Sequence, residues 1–311
     1  MRPCSARCSS GAREVPVTFA LPFVVAMVAA AAAAVAQRRL RPEIATQTLA
    51  VACVAAAAAW MWALLALVLG ALAEVTSIDR WLAWCPNLYL ADRHVAWSIG
   101  VAAAVLLAAS TAALVRCIRR TVAHRRRLPA CGDDGVLVLE CEEPTAFAVP
   151  GRRGGIVVSR GMIDALDDGE RSVLWAHERA HLRNRHHWYL GASDLASAVL
   201  PALRPLARQV RFGTERWADE DSVRSTGDRL LVARAIAKAA LASNGHRHPR
   251  MAMAASAVPA RVEALVDPKR NILGTGTGLA VATSIMVLTI GGSTIQLHHL
   301  VTLLEHVCGG R

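Results

Sequence analysis

The chain has 311 residues, of which 54% are hydrophobic and only 19% are charged, and its formal net charge is +11. This composition argues against an ordinary soluble domain and favours an α-helical membrane protein. A basic chain binds nucleic acid or anionic lipid. Because the sequence has no helix-turn-helix or zinc-finger pattern and its arginines cluster beside apolar runs, we exclude nucleic acid as a partner and expect a lipid bilayer.

Four uncharged apolar runs are each long enough to cross a bilayer. A helix rises 1.5 Å per residue, so about 20 residues span a hydrocarbon core of about 30 Å. Buried helices of a soluble protein are the alternative, but these normally keep a polar face. The first run resembles a secretory signal, yet its apolar core is too long for one, so we expect a retained helix. The predicted spans cover about residues 15–36, 47–73, 95–115 and 274–297.

The positions of arginine and lysine predict the orientation of these spans. Clusters of arginine follow the first and third spans, and Lys269 and Arg270 precede the fourth, so all three sites should face the cytoplasm. Three arginines of the N-terminal tail disagree with this arrangement. We predict a multi-pass protein of the plasma membrane with both termini outside and a cytoplasmic domain. The predicted regions are a membrane region (1–116), a cytoplasmic domain (117–272) and a fourth span with a short outer tail (273–311).

The cytoplasmic segment has an α+β pattern, with strands before helices. Its first part contains three short segments rich in β-branched residues, which predict a small antiparallel sheet. Asp167, followed three residues later by Glu170, predicts a capping box at the start of a helix. Thr214 and Asp228 could cap two further helices. The predicted strands are GVLVLE (135–140), TAFAV (145–149) and GIVVS (155–159).

The first of the predicted helices carries the pattern H-E-x-x-H at residues 177–181. On a helix, His177 and His181 lie one turn apart on the same face, so one tetrahedral metal ion could bind both imidazoles. Glu178 lies next to the first ligand and could act as general base towards water and then as general acid towards the leaving amine. The same pattern can also arise by chance on a solvated helix face.

A third ligand is available further along the chain, in the stretch E-R-W-A-D. Glu215 could complete a three-ligand Zn²⁺ site whose fourth position stays open, as catalytic zinc requires. Asp219 lies one helical turn later and could orient a ligand histidine. If Glu215 is not the third ligand, Asp219 or Glu220 is the next candidate. The two-part pattern predicts a zinc metallopeptidase.

Two further histidines follow the motif. If the helix continued, His186 and His187 would be turned by about 120–140° from His181. We therefore expect them to form a polar flank or the edge of a substrate cleft rather than to bind the metal. A second metal site among the histidines after the fourth span is a weaker alternative.

These motifs, with the stretch AFAVPGRRGGIVVSRGM and the order of spans, resemble the BlaR/MecR-type membrane metallopeptidases and, more distantly, the HtpX-type and CAAX-prenyl peptidases. The resemblance implies a gluzincin-like fold between spans three and four and a sheet edge near TAFAV that lines the substrate cleft. It also implies zinc on His177, His181 and Glu215, catalysis by Glu178 and support from Asp219. The beta-lactam sensors carry a penicillin-binding domain after the fourth span, whereas only a short tail without S-x-x-K follows here. We expect no acylation by beta-lactams.

The sequence thus predicts a membrane zinc endopeptidase that cleaves a cytoplasmic protein. By resemblance, that protein is a transcriptional repressor in a signalling pathway. A quality-control peptidase for membrane proteins and a non-catalytic signalling receptor are the alternatives. A transporter is disfavoured because no predicted span carries a charged residue.

Overall fold

The computed structural model describes residues 40–75, 97–129, 131–132, 135–151, 154–244 and 257–267. Within these residues the chain forms eight α-helices, one 3₁₀ turn and a three-stranded sheet. The predicted spans at 15–36 and 274–297 lie outside the described residues.

Two long apolar helices come first in the described chain, α1 (Pro42–Val75) and α2 (Trp97–Arg126). They cover most of the predicted spans at 47–73 and 95–115. Both are long and apolar enough to cross a membrane, although a core helix of a soluble protein can share these properties. Helix α2 continues beyond residue 115 into an arginine-rich end, which suits a helix that leaves the hydrocarbon core on its positively charged side.

The contact between α1 and α2 depends on small side chains. A Cβ atom at Gly100 of α2 would lie only 2.1 Å from Cβ of Ala71 on α1. The indole Nε1 of Trp60 donates a hydrogen bond of 3.4 Å to Ser110 Oγ across the same interface. Small residues at such a crossing let two helix backbones approach closely, so this contact tolerates no larger residue at Gly100 without a shift of one helix.

The sheet consists of β1 (Val136–Leu139), β2 (Ala146–Val149) and β3 (Gly155–Ser159), in the order β1-β3-β2. Strands β2 and β3 pair antiparallel, whereas β1 and β3 pair parallel. The predicted all-antiparallel sheet is therefore wrong for β1. All five residues of β3 are buried, and this strand lies between the other two. Because β1 and β2 run in opposite directions, a strand inserted between them must be parallel to one of them.

Six α-helices follow the sheet in the described part of the chain, and predicted caps mark the start of two of them. The capping box at Asp167 is confirmed, since Oδ1 of Asp167 accepts from the Glu170 amide at 2.8 Å and Glu170 Oε2 accepts from the Asp167 amide at 2.9 Å. Asp228 caps its helix through the Leu231 amide. These helices are α3 (Arg160–Ala165), α4 (Asp168–Arg183), α5 (His186–Val199), α6 (Arg204–Thr226), α7 (Arg229–Asn244) and α8 (Val258–Val266), with a 3₁₀ turn at Pro201–Leu203.

Two predicted features of this helical region are wrong. Thr214 does not begin a helix, because α6 begins ten residues earlier with a proline in its first turn, where the missing amide costs nothing. The helix that carries the H-E-x-x-H pattern also ends earlier than expected. Arg185 adopts a left-handed conformation with φ of 53°, so the chain turns there and His186 begins the separate helix α5.

Helix α1 is packed directly against the helices that follow the sheet. One apolar cluster joins Leu49, Ala50 and Ala52 of α1 to Val210 of α6. A second joins the next turns of α1 to residues at the C-terminal end of α5 and in the 3₁₀ turn. The first apolar helix and the helices around the H-E-x-x-H motif therefore share one core.

Helix α4 lies in the middle of this helical region. On one side Val173 packs against Val232 and Ile236 of α7 and Leu265 of α8. On another side Leu174 and Trp175 contact the cluster built on strand β3 and helix α3. The motif-bearing helix is thus held between the sheet and three other helices.

Candidate metal centre

Helices α4 and α6 place the residues of the two sequence motifs face to face. His177 and His181 lie one turn apart on α4, with their Nε2 atoms 3.1 Å apart. Glu215 of α6 approaches both rings, with Oε2 3.5 Å from His177 Nε2 and Oε1 3.7 Å from His181 Nε2. Side chains from two helices that are well separated in sequence thus converge on one point.

The donor atoms of this triad fit a zinc ion. Zinc bound tetrahedrally at about 2.0–2.1 Å separates two of its ligand atoms by about 3.3–3.4 Å. The three observed separations, from 3.1 to 3.7 Å, lie close to this value. Within the described residues, His177, His181 and Glu215 are the group whose ligand atoms lie close enough together to hold a metal ion. Two imidazoles and one carboxylate leave a fourth position open, as in catalytic zinc sites.

Glu178 lies beside this triad, and its environment suits proton transfer. Its side chain is buried, with 8% of the residue exposed. Burial raises the pKa of Glu178 to about 7, and the nearby Glu215 carboxylate adds to the effect. A carboxyl group with a pKa near neutrality can both accept and donate a proton at physiological pH. The chemistry required of a general base is therefore available next to the triad.

Asp219 lies one turn after Glu215 on α6 and contacts the other side of the first histidine. Its Oδ1 is 3.2 Å from His177 Nδ1. Burial disfavours a charged imidazole, but the carboxylates of Asp219 and Glu215 outweigh it and raise the pKa of His177 to about 10. Burial lowers the pKa of His181 to about 4. Without metal, one imidazole of the pair is protonated, and this proton must leave when a metal ion binds.

Arg261 is a buried member of the site that the sequence analysis missed. It comes from α8 and is only 7% exposed. Its guanidinium donates to both oxygens of Asp219, and its Nη1 lies 3.2 Å from Glu215 Oε2. The sequence around it, VPARVEALV, contains no motif, so only the tertiary packing of α8 shows this role. The arginine balances the negative charge of the two carboxylates.

His186 lies in a different place from the one that the sequence predicted. The expectation of a polar flank or cleft edge is wrong for it, since it is 1% exposed. Its Nδ1 lies 3.0 Å from Nδ1 of His181. The reason is the turn at Arg185, which takes His186 out of helix α4 and places it behind the second motif histidine. His187, in contrast, is half-buried, and its ring packs beside Trp188.

A cavity of about 200 Å³ opens beside Glu178. Its walls are mostly apolar and come from β2, α3, α4, α7 and α8. Strand β2 pairs with β3 only, so its other edge is free within the described sheet. The cavity therefore lies between a free strand edge and the buried Glu178. The residues that line it include Ala146, Met162, Leu174, Ile236, Ala240 and Val258.

Comparison with known proteins gives one match. Residues 109–203 match the family model of Peptidase family M48. This segment runs from α2 through the sheet to the 3₁₀ turn, and it includes the H-E-x-x-H helix but not Glu215. No curated protein and no solved structure matches the chain. M48 peptidases are metal-dependent enzymes that typically use zinc. The segment that carries the H-E-x-x-H motif is therefore similar to M48 metallopeptidases.

Proposed function

We propose that the protein is a membrane-anchored zinc endopeptidase in which His177, His181 and Glu215 hold the metal ion. The observation that carries this proposal is the convergence of these three side chains beside the buried Glu178. The family match supports a peptidase, and the ligand set supports zinc over Mg²⁺ or Ca²⁺, which prefer oxygen ligands only.

In the proposed mechanism each nearby side chain has a defined task. When bound, zinc would polarise the scissile carbonyl and favour ionisation of the attacking water. Glu178 accepts a proton from this water and transfers it to the departing amine nitrogen. Asp219 orients the His177 ring through Nδ1, as carboxylates do for metal-bound histidines. The free edge of β2 can pair with an extended substrate strand.

The location of the site favours a substrate at the membrane surface. Helix α1 packs against α5 and α6, so the site is joined to an apolar helix that is long enough to cross a bilayer. Arginines at the C-terminal end of α2 favour the cytoplasmic side for the domain at 117–272. By its resemblance to BlaR/MecR-type peptidases, the proposed substrate is a cytoplasmic protein such as a transcriptional repressor in a signal-transduction pathway.

A peptidase for the quality control of membrane proteins is the second candidate. The mostly apolar lining of the cavity beside Glu178 favours it, because segments that leave a membrane present apolar side chains to such a site. The two candidates differ in selectivity. A regulatory peptidase cleaves one protein, whereas a quality-control peptidase changes the abundance of many membrane proteins.

The test compares the wild type with Glu178→Gln and Glu215→Ala after purification in detergent. We expect about one zinc per wild-type chain, zinc retained in Glu178→Gln and zinc weakened in Glu215→Ala. In cells that lack the native copy, cleavage products should appear with the wild type and be absent with Glu178→Gln. The matched control is Glu263→Gln, which changes an exposed glutamate of α8. Unaltered cleavage by Glu178→Gln would contradict the proposal, and a wild type without zinc would favour the non-catalytic receptor.

A further inference from the structure

The second motif histidine has a neighbour that the proposed mechanism does not use. His186 Nδ1 lies 3.0 Å from His181 Nδ1, and the two rings meet edge to face with centroids 4.8 Å apart. His181 faces the triad with its other nitrogen, since Nε2 is the atom near His177 and Glu215. One ring of His181 thus connects the candidate metal position to His186.

The contact between the Nδ1 atoms of His181 and His186 allows two arrangements of protons. Only one of them leaves Nε2 of His181 free to bind a metal ion. A hydrogen bond at this distance requires one nitrogen to donate and the other to accept. If His186 donated, neutral His181 would carry its proton on Nε2, which would then be unable to bind a metal ion. If His181 donates from Nδ1, its Nε2 has a free lone pair. Metal binding by His181 therefore requires His186 to be the acceptor.

The surroundings of His186 hold its ring in the orientation that this arrangement needs. The left-handed turn at Arg185 starts α5 so that the His186 ring is directed back towards α4. The ring also packs on Trp217 of α6, with centroids 4.8 Å apart. Its Nε2 is buried and has no hydrogen-bond partner among the described residues. Within the described residues, the polar contact of the His186 ring is therefore the one that Nδ1 makes with His181.

We propose that His186 is a positioning residue that accepts a hydrogen bond from His181 Nδ1 and thereby fixes the ring and tautomer of this metal ligand. The inference rests on the proposed zinc site. Partners of this kind around a ligand histidine typically change metal affinity by about 10–100-fold when they are removed. Within the site, His186 does for His181 what Asp219 does for His177, but with a neutral acceptor.

The experiment measures zinc affinity by competition with a chromophoric chelator, using detergent-purified protein. His186→Asn keeps an acceptor at the position of Nδ1, whereas His186→Leu has the same branched shape without it. We expect His186→Leu to bind zinc about 10–100-fold more weakly than the wild type, and His186→Asn to stay within a few-fold of it. His187→Leu, which changes the adjacent half-buried histidine, is the control and should bind zinc as the wild type does. The thermal unfolding of each metal-free variant is measured in parallel.

A second measurement does not depend on the folding of any variant. In the zinc-loaded wild type labelled with ¹⁵N at histidine, we expect His186 to be neutral with its proton on Nε2. A proton on Nδ1 of His186 would overturn the proposal, and so would a folded His186→Leu variant with wild-type zinc affinity. A wild type that binds no zinc would instead overturn the proposed function, and the role of His186 with it.

Discussion

Arg261 donates two hydrogen bonds to the Asp219 carboxylate, from Nε at 2.8 Å and from Nη2 at 2.6 Å. Its third nitrogen, Nη1, lies 3.2 Å from Oε2 of Glu215. One side chain of α8 therefore contacts both carboxylates that α6 brings to the candidate metal centre. Because Arg261 and Asp219 are largely removed from water, Asp219 cannot exchange this partner for solvent, and the position of α8 is coupled to the geometry of the site.

Replacing Arg261 should destabilise the fold and disturb the site together. Arg261→Met removes the cation from the buried Asp219 and the partly exposed Glu215, so we expect a loss of about 3–5 kcal/mol of stability and no cleavage activity. Arg261→Lys keeps the charge but not the planar guanidinium group. We expect this variant to retain only part of the stability and part of the cleavage activity. Thermal unfolding and zinc content of the purified variants measure the two effects.

A partly exposed ion pair provides the matched control for this change. Arg229 binds Glu220 through two nitrogens, but its side chain is 34% exposed. Arg229→Met should therefore cost about 1 kcal/mol or less and leave zinc binding intact. Equal effects of the two substitutions would show that Arg261 has no special role at the site.

Local sequence signals predicted several elements of the fold. Asp167 and Glu170 predicted a capping box, and the structure contains both of its hydrogen bonds. Asp228 predicted the start of α7. The strands at 145–149 and 155–159 form the expected antiparallel pair. Each of these signals lies within a few residues of the structure that it specifies, and so could be recognised without knowledge of the rest of the fold.

Features that depend on distant contacts could not be predicted in the same way. The parallel pairing of β1 follows from the insertion of β3 between two strands. Arg261 reaches the site only because α8 packs on α7 and α4. His186 was misplaced because one residue, Arg185, leaves the helical conformation. Nothing in the local sequence distinguishes that arginine from its neighbours.

The buried Glu170 should make stability depend on pH in the acid range. Burial opposes its ionisation, but the ammonium group of Lys238 at 2.6 Å and the Asp167 amide outweigh burial and hold the pKa of Glu170 below its usual value of 4.5. A carboxyl group with a lowered pKa in the folded state stabilises the fold at pH values above its unfolded pKa. This contribution is lost as the pH falls through the folded pKa.

Glu170→Gln should therefore cost about 1–3 kcal/mol at pH 7 and progressively less as the pH falls below about 4.5. The measurement is the stability of both proteins to chemical denaturation between about pH 3 and pH 7, where the two curves should converge at the acid end. Asp168→Asn is the control, because this carboxylate lies in the same helical turn but is 97% exposed. A constant difference between wild type and Glu170→Gln at all these pH values would rule out ionisation as the cause.

The contact between α1 and α6 can be tested at Gly213. A Cβ atom at this position would lie 2.4 Å from Oγ1 of Thr46, which is fully buried and donates to the carbonyl of Pro42. Gly213→Ala should therefore overpack the contact and cost about 1–3 kcal/mol, although alanine is the better helix former. Thermal unfolding in detergent measures this loss.

Two further variants provide a control and a rescue for this contact between α1 and α6. A Cβ atom at Gly191 of α5 would meet no other atom of the described residues within 4 Å, so Gly191→Ala should be neutral or stabilising by up to about 1 kcal/mol. Combining Gly213→Ala with Thr46→Ala removes the oxygen that the new methyl group meets. Stability should then recover in part, and a double variant no better than the sum of the two single changes would argue against this contact.

The cavity beside Glu178 should select the substrate side chain that enters it. Ala240 of α7 lines this space of about 200 Å³, whereas the next residue, Leu241, is 74% exposed and lies outside it. Ala240→Phe fills the cavity, so peptides with a large apolar side chain next to the scissile bond should lose at least about tenfold in kcat/KM, while peptides with alanine there are affected less. Leu241→Phe adds the same ring on the exposed side of α7. We expect this variant to leave kcat/KM unchanged for both classes of peptide. A peptide library cleaved by the three proteins measures the difference. If Ala240→Phe slowed all peptides equally with zinc retained, the cavity would not be where the substrate side chain binds.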